Sequence, residues 1–410
     1  MSRRVVITGA GAVTPFGPSL DVFWEGVLSG KVALRVGLEN LHSDLRDFPA
    51  GAVSLEDAAA SCGLDPRQVR RLDPVSILAL CAAREAVAHA GLETPLEDVP
   101  TGVVLGVGYG ATTTHLATHA TLAGKGPGRL SPFTIPASMP NAAACNLSLS
   151  LGSRGPSWTV STACASGLDA MGQGMWLVRN GVVDRVLVGG SEAIVDDMGL
   201  GGMAAAKALA RAEEGDPEVL RPFDLARKGT AVGEGAGIFV LEAEEVAEKR
   251  NAPVRGRLVG YGASADAHHI TAPDPSGSGA ESSMKNALQD GQLLPGEIVA
   301  IYAHGTGTPL NDKMEGEAVL RVFGENPPLV TSTKGQYGHA MGASGPLHAA
   351  LALRGLEQGV VPATHPCPDP DPDCGIVPVL GGPASCSGGS AMVNAFGFGG
   401  HNASLILSRD

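Results

Sequence analysis

Six short β-branched runs, each stopped by glycine and followed by a helical stretch, constrain this chain more than any other feature. They are Val5 to Gly9, Val103 to Gly108, Val186 to Gly190, Arg257 to Gly260, Val299 to Gly305 and Met392 to Gly397. Short, nearly continuous apolar runs suit strands buried on both faces, and their alternation with helices reads as α/β. The helices are legible at their ends: Asp73 is placed to cap, Pro74 suits a first turn, and the pattern from Val75 to Ala90 stops at Gly91.

A weak internal duplication runs through the same pieces. A strand plus Gly108-Tyr-Gly-Ala-Thr112 is answered by a strand plus His304-Gly-Thr-Gly-Thr308. Ser161 to Gly167 is answered by Ser332 to Gly342, and Leu187 to Ser191 by Met392 to Phe396. Two similar halves, 1–251 and 252–410, joined near Asn251 to Gly256, would place a site between them.

The charge balance narrows the partners. With 29 basic against 42 acidic side chains, the net charge is -13, and no general footprint for nucleic acid exists. The chain is 44% apolar, which excludes disorder, yet no stretch is long and uninterrupted enough to span a membrane. The basic start, Met1 to Arg4, leads into a run cut by Gly9, Gly11 and Pro15; it reads as a buried first strand, not a signal peptide. Cys62, Cys81, Cys145, Cys164, Cys367, Cys374 and Cys386 are odd in number and never at Cys-x-x-Cys spacing. That argues against a zinc site or a disulfide framework and fits a reducing cytoplasm. Residues 212–224 and 365–374 read as exposed connections. The Asp-Pro alternation in the second cannot make a calcium loop, since proline fixes φ, lacks an N–H, and the required glycine is missing.

The chemistry gathers in four places. From Val160-Ser-Thr-Ala-Cys164 a strand end leads into a helix with small residues in its first turn, Arg179 in its last and Gly181 as its stop. A cysteine at a helix N-terminus is favoured as thiolate, the nucleophilic form; an inert core thiol is the alternative. His304 and His339 each sit in a turn rich in glycine and hydroxyls, with Thr306 and Thr308 able to meet an extended amide-bearing ligand and Lys334 five residues before His339. The turn Asn394-Ala-Phe-Gly-Phe-Gly-Gly-His401-Asn closes a final strand pair, and its N–H groups, with that of Cys164, make a plausible oxyanion hole. Gly9-Ala-Gly, Gly106-Val-Gly-Tyr-Gly and Gly233-Glu-Gly-Ala-Gly lack the spacing or the following residues of a nucleotide cradle.

On these residues the chain resembles the elongating β-ketoacyl-acyl-carrier-protein synthases, which have the thiolase fold. The likeness runs from Val5 to Gly17 through Ser131-Pro-Phe, Met139-Pro-Asn, the Cys164 turn, Arg221-Pro-Phe-Asp, Gly233-Glu-Gly-Ala-Gly and Ser264 to Pro275, to both histidine loops and Phe396-Gly-Phe-Gly-Gly400. The resemblance implies two similar halves in a layered α-β-α-β-α arrangement and a Cys-His-His centre. Cys164 would take the acyl chain as a thioester, while His304 and His339 bind the malonyl thioester carbonyl as CO2 leaves. Lys334 would organise the network. Phe398 would supply an oxyanion N–H beside that of Cys164 and gate the acyl pocket, and Thr306 and Thr308 would meet the pantetheine. It implies no metal and no cofactor beyond the phosphopantetheine of an acyl carrier protein, and a dimer, either of like chains or with a chain-length-factor-like subunit.

Thiolases use a second cysteine in place of one histidine, priming synthases use His plus Asn, and chain-length subunits lose the nucleophile; this chain keeps Cys, His and His. It departs from the pattern at His348, where the family has Glu, at Lys228-Gly-Thr230 in place of Asp-Gly-Phe, and at His401 in place of Thr. These changes point to type II polyketide or polyene biosynthesis. The alternatives are a housekeeping fatty-acid synthase and a non-catalytic chain-length subunit. An acidic carrier needs a local basic patch, for which Arg67, Arg70 and Arg71 are one candidate and Arg227 and Lys228 another, each against the simpler reading of a solvated charged turn.

Overall fold

The computed structural model describes residues 3–212 and 215–409; Met1 and Ser2 of the basic start and Glu213 and Glu214 of the charged connection lie outside the described residues. The strands are β1 (Val5–Val13), β2 (Thr101–Gly106), β3 (Ser157–Val160), β4 (Arg185–Glu192), β5 (Gly235–Ala243), β6 (Gly256–Ala265), β7 (Ile298–Tyr302), β8 (Leu329–Thr331), β9 (Ser390–Gly397) and β10 (His401–Ser408). They follow the spatial order β8-β7-β9-β10-β6-β1-β5-β4-β2-β3.

That order reads the same from both ends. In the first half β2 lies parallel to β3 and β4, and β5 runs antiparallel to β4 and β1. In the second β7 lies parallel to β8 and β9, and β10 runs antiparallel to β9 and β6. The halves meet edge to edge through the pairs Val6 with Arg257 and Ile7 with Gly256.

Six helices complete the layers: α1 (Pro74–His89), α2 (Ala142–Leu151), α3 (Ser166–Arg179), α4 (Ser278–Gly291), α5 (Pro309–Phe323) and α6 (Ser344–Gln358). Sequence decides which are outer. In α4 the buried residues Ala280, Ser283, Met284, Ala287 and Leu288 form one stripe, so it covers the second half with α5 beside it. In α6 every residue from Ser344 to Leu353 is buried, so it must be central. Helices α3 and α6 contact strands of both halves, while α1 and α2 cover the first. The result is the five-layered, thiolase-like α-β-α-β-α arrangement.

The Gly-x-Gly of β1 is explained by packing, not by a nucleotide. A Cβ on Gly9 would fall 2.1 Å from the Ala86 carbonyl oxygen and one on Gly11 2.2 Å from that of Ala82, so β1 lies directly on the backbone of α1. In the second half Gly260 and Gly262 do the same, with Cβ positions 2.3 Å from Ala287 O and 2.2 Å from Ser283 O of α4.

Three expectations need correction. The sulfurs of Cys62 and Cys81 are brought together where the helix Leu55–Ser61 ends against α1, a pairing their spacing gave no reason to expect. The two connections are not simply exposed: Leu220, Phe223 and Asp224 are buried, Leu225 N donates to Asp369 O, and Asp369 N donates to Asp224 Oδ2. Arg227 is withdrawn as a docking residue, because it is 9% exposed and its guanidinium donates to Asp371 Oδ2 at 2.5 Å.

Candidate functional site

Cys164 belongs to a turn of 3-10 helix, Ala163–Ala165, that leads from β3 into α3. Ala163 holds φ at 51°, a left-handed conformation that a residue with a Cβ adopts at a cost, and this sharp reversal turns the thiol toward the facing half. Cys164 shares a buried apolar cluster with Ile194, Leu200, Met203 and Met341, and Phe398 packs against that cluster. Apolar walls behind a thiol suit an acyl chain.

Both histidines reach it from the second half. Cys164 Sγ is 3.1 Å from His339 Nε2, and His339 Nδ1 is 2.8 Å from the Ser344 hydroxyl. That hydroxyl can donate or accept, so it serves either tautomer of His339. His304 stands edge-on to His339 with ring centroids 5.2 Å apart, and the sulfur and one nitrogen of each ring lie within 4.8 Å of one another. Burial holds both imidazoles well below their ordinary pKa, with Lys334 adding to the effect, so both are neutral at pH 7. Neutral rings can donate an N–H to a developing oxyanion without the cost of burying a cation.

The thiol does not match the expectation of a standing thiolate. Burial pushes Cys164 up to about 12, against the charge of Lys334 and the N–H groups of Phe398 and of Cys164 itself, both of which favour the thiolate. At neutral pH Cys164 therefore carries a thiol hydrogen-bonded to His339, and any attack by its sulfur would require that imidazole to accept the proton. Both N–H groups thus face the sulfur, and the strand end that carries Phe398 runs close beside the cysteine turn, since a Cβ on Gly397 would lie 3.0 Å from Cys164 N.

Lys334 is buried, and its ammonium donates to the His304 carbonyl oxygen at 2.5 Å. Burial lowers its pKa, and the charge of Glu315 opposes that shift. His348 is also fully buried beside this network; neither ring nitrogen makes a well-formed hydrogen bond, and burial keeps it neutral.

Several supporting carboxylates escaped the sequence reading. Glu315 accepts the N–H groups of His304 and Gly305, each at 2.8 Å, and Asp312 accepts those of Thr306, Gly307 and Phe223. Both are buried on α5, three residues apart, on the face toward the strand end. Glu192, at the end of β4, accepts N–H groups from Gly108, Tyr109, Gly110 and Gly342. Only Glu192 carried a signal, an acidic residue inside the apolar and small-residue run Val186 to Val195; Asp312 and Glu315 stand in the polar stretch Asn311 to Glu317, which reads as a solvated helix face.

A cavity of about 290 Å³ opens onto the cysteine and is lined by His304, His339, Thr306, Thr308, Phe398 and Lys228 among others. The hydroxyls of Thr306 and Thr308 lie 2.9 Å apart. Arg67, Arg70 and Arg71 are exposed, outside the cavity, on and after the short helix Pro66–Val69, and Arg71 covers the Phe133 ring at 4.8 Å.

With this geometry stand the likenesses to known proteins. The family model described as Beta-ketoacyl synthase, N-terminal domain, matches residues 2–247, and Beta-ketoacyl synthase, C-terminal domain, matches residues 255–367. The chain is 37% identical to 3-oxoacyl-[acyl-carrier-protein] synthase 2 of Synechocystis sp., over 99% of this chain and 98% of that protein. It is 36% identical to the protein of the same name from Staphylococcus aureus, over 100% and 99% respectively. Among solved structures, the ishigamide ketosynthase/chain length factor superposes with a TM-score of 0.91 at 31% identity, covering 100% of both chains. A type II PKS acyl-carrier protein in complex with its ketosynthase superposes at 0.90 with 27% identity, again over 100% of both chains.

Proposed function

This chain belongs to the β-ketoacyl synthase family, and on that premise we propose that it condenses a Cys164-bound acyl chain with malonyl-acyl carrier protein in type II polyketide or polyene biosynthesis. The observation that carries the reading is the thiol 3.1 Å from one neutral imidazole, with a second beside it and two backbone N–H groups aimed at the sulfur.

In the first half-reaction Cys164 Sγ attacks the carrier thioester carbonyl and His339 Nε2 takes the thiol proton. The oxyanion is held by the N–H groups of Cys164 and Phe398 until the carrier thiol leaves with that proton. In the second, malonyl thioester enters along Thr306 and Thr308 with its carbonyl oxygen between His304 and His339. The bond to the carboxylate breaks, CO2 departs, and the enolate carbon attacks the acyl group, expelling Cys164 as thiolate and leaving a 3-oxoacyl chain on the carrier. Lys334 keeps the His304 loop in place through the carbonyl it binds. These steps draw on side chains and backbone alone, with no separate cofactor.

Supporting the polyketide setting are the two solved relatives, one a ketosynthase/chain length factor and one a ketosynthase with its carrier. We propose the same carrier partner here, docking through Arg67, Arg70, Arg71 and Lys228, in a cytoplasmic enzyme of two halves, 1–251 and 252–410. No helix among the described residues is long and apolar enough to cross a membrane. A dimer, with a like chain or a chain-length subunit, would cover the edge strand β3, whose Trp158 is exposed, together with exposed Ile135 and Leu149. Fatty-acid elongation is the second reading, favoured by the 3-oxoacyl synthase relatives at 36–37% identity.

The test is to supply malonyl carrier with saturated or polyunsaturated acyl carriers, with and without a candidate chain-length partner. The expected result is a 3-oxoacyl product two carbons longer from the unsaturated chains, dependent on the partner. Full activity of the chain alone on saturated substrates would assign it to fatty-acid elongation, and no product from any substrate would remove the condensing role.

A further inference from the structure

A buried carboxylate behind the nucleophile has no part in the steps above. Asp169, on α3, is 7% exposed, and each of its oxygens takes one hydroxyl: Thr162 Oγ1 donates to Oδ2 at 2.5 Å, and Tyr261 OH donates to Oδ1 at 2.6 Å. Thr162 is two residues before Cys164, whereas Tyr261 comes from β6, in the other half. Tyr261 is itself fixed, with its ring edge-on to Trp176 at 5.1 Å and so close to α3 that a Cβ on Gly172 would lie 2.3 Å from it.

Thr162 is held at its backbone as well. Its N–H donates to the Ser166 hydroxyl at 2.8 Å, and that hydroxyl donates to the Ala163 carbonyl oxygen at 2.6 Å. Between these restraints sits Ala163 with its left-handed φ. Relaxation of that residue would swing the next peptide, which carries the Cys164 N–H. The same spot is packed from outside, where a Cβ on Gly397 would meet Thr162 O at 2.9 Å.

We propose that Asp169, acting through Thr162 and anchored by Tyr261, is a positioning residue that aims the Cys164 N–H at the thioester oxyanion. The inference rests on the condensing-enzyme reading and adds to it a link between the second half of the fold and the oxyanion hole of the first. A carboxylate suits the task because it accepts from two hydroxyls at once, and charge-assisted bonds are the stronger kind. A carboxamide in its place has a single carbonyl oxygen, so one of the two hydroxyls would face an NH2 group that cannot accept.

The role separates from a merely structural one because only acyl transfer needs an oxyanion hole. Alkylation of the thiol by iodoacetamide does not. Thr162→Val, Thr162→Ser and Asp169→Asn are to be compared with the parent for transfer from an acyl carrier to Cys164, followed by intact mass, and for iodoacetamide alkylation. Transfer is expected to slow roughly ten- to a hundred-fold in Thr162→Val and Asp169→Asn, less than the full loss of an oxyanion donor, and to recover to within about threefold in Thr162→Ser. Alkylation is expected to stay within about twofold throughout. Undiminished transfer in Thr162→Val overturns the inference, as does a parallel fall in alkylation, which would mean the network holds the sulfur instead. Failure of the parent to accept an acyl group would overturn the condensing reading and this inference with it. Should Asp169→Asn not fold, the Thr162 pair decides alone.

Discussion

The two turns that lead into α3 and α6 share a backbone and differ in employment. Ala163 and Met341 both have left-handed φ, 51° and 42°, and each opens a turn of 3-10 helix that leads into a buried central helix. The first turn presents Cys164 to the cavity. The second follows His339 and gives its Gly342 N–H to Glu192, a carboxylate from the opposite half. The loops after β2 and β7 divide in the same way: Glu192 gathers Gly108 to Gly110, and Glu315 gathers His304 and Gly305, but only the second loop bears an imidazole. A duplicated frame thus brings the thiol from one half against two rings from the other, and neither half holds the complete set.

The strongest way to break this division of labour is at the thiol. Cys164→Ala should remove acyl transfer by more than roughly 10⁴-fold, read as loss of the acyl adduct in intact mass, with the fold unchanged by circular dichroism. The two histidines should then part company. His304→Ala is expected to lower condensation by about 10²–10³-fold while Cys164 still accepts an acyl group, because the proposed mechanism uses His304 only at the enolate; His339→Ala should impair both half-reactions, since His339 alone of the two is hydrogen-bonded to the sulfur. Equal acylation rates in the two variants would contradict the assignment.

At the level of the frame, Gly11→Val and Gly262→Val should destabilise the chain by similar amounts, about 3 kcal/mol each, in denaturant titration. Each introduces a side chain where a helix carbonyl oxygen already stands within 2.2 Å of the Cβ position. A large cost in one half only would show that the halves do not pack alike.

The charge around Lys334 offers a finer probe. Its pKa is already lowered by burial and supported by Glu315, so Glu315→Gln should lower it further and move the alkaline limb of the condensation rate to lower pH. His348→Glu adds an anion to the same pocket and should move that limb to higher pH; a shift in the same direction for both would refute the electrostatic account. The smallest effect is expected at Thr306→Val, which removes one cavity hydroxyl and should lower kcat/KM for malonyl carrier about three- to tenfold.

What the sequence made legible follows from how locally each feature is determined. The strands β1, β4 and β9 and the helix α1 could be read because apolar runs, the Asp73 cap and Pro74 act within a few residues. Cys164, His304, His339 and Lys334 could be named from their turns, and the structure brings all four together. The frame that holds them was less visible. β5 was hidden by its glycine-rich start, and Asp169, Glu192 and Glu315 take their meaning from N–H and O–H groups distant in the chain. Arg227 misled for the same reason, since its partner Asp371 lies 144 residues away. For the Cys164 thiol a local rule about helix ends favours the thiolate, whereas burial, a property of the whole fold, pushes it the other way.

The central claim, that one half supplies a nucleophile and the other its proton acceptor and enolate donors, is tested most directly by a two-step intact-mass measurement. The protein is exposed first to an acyl carrier and then to malonyl carrier. The account predicts an added acyl mass on Cys164 that disappears in the second step as CO2 and 3-oxoacyl carrier appear, and a His304→Ala protein that gains the mass but keeps it. An adduct on any other residue, or prompt discharge from His304→Ala, would contradict it.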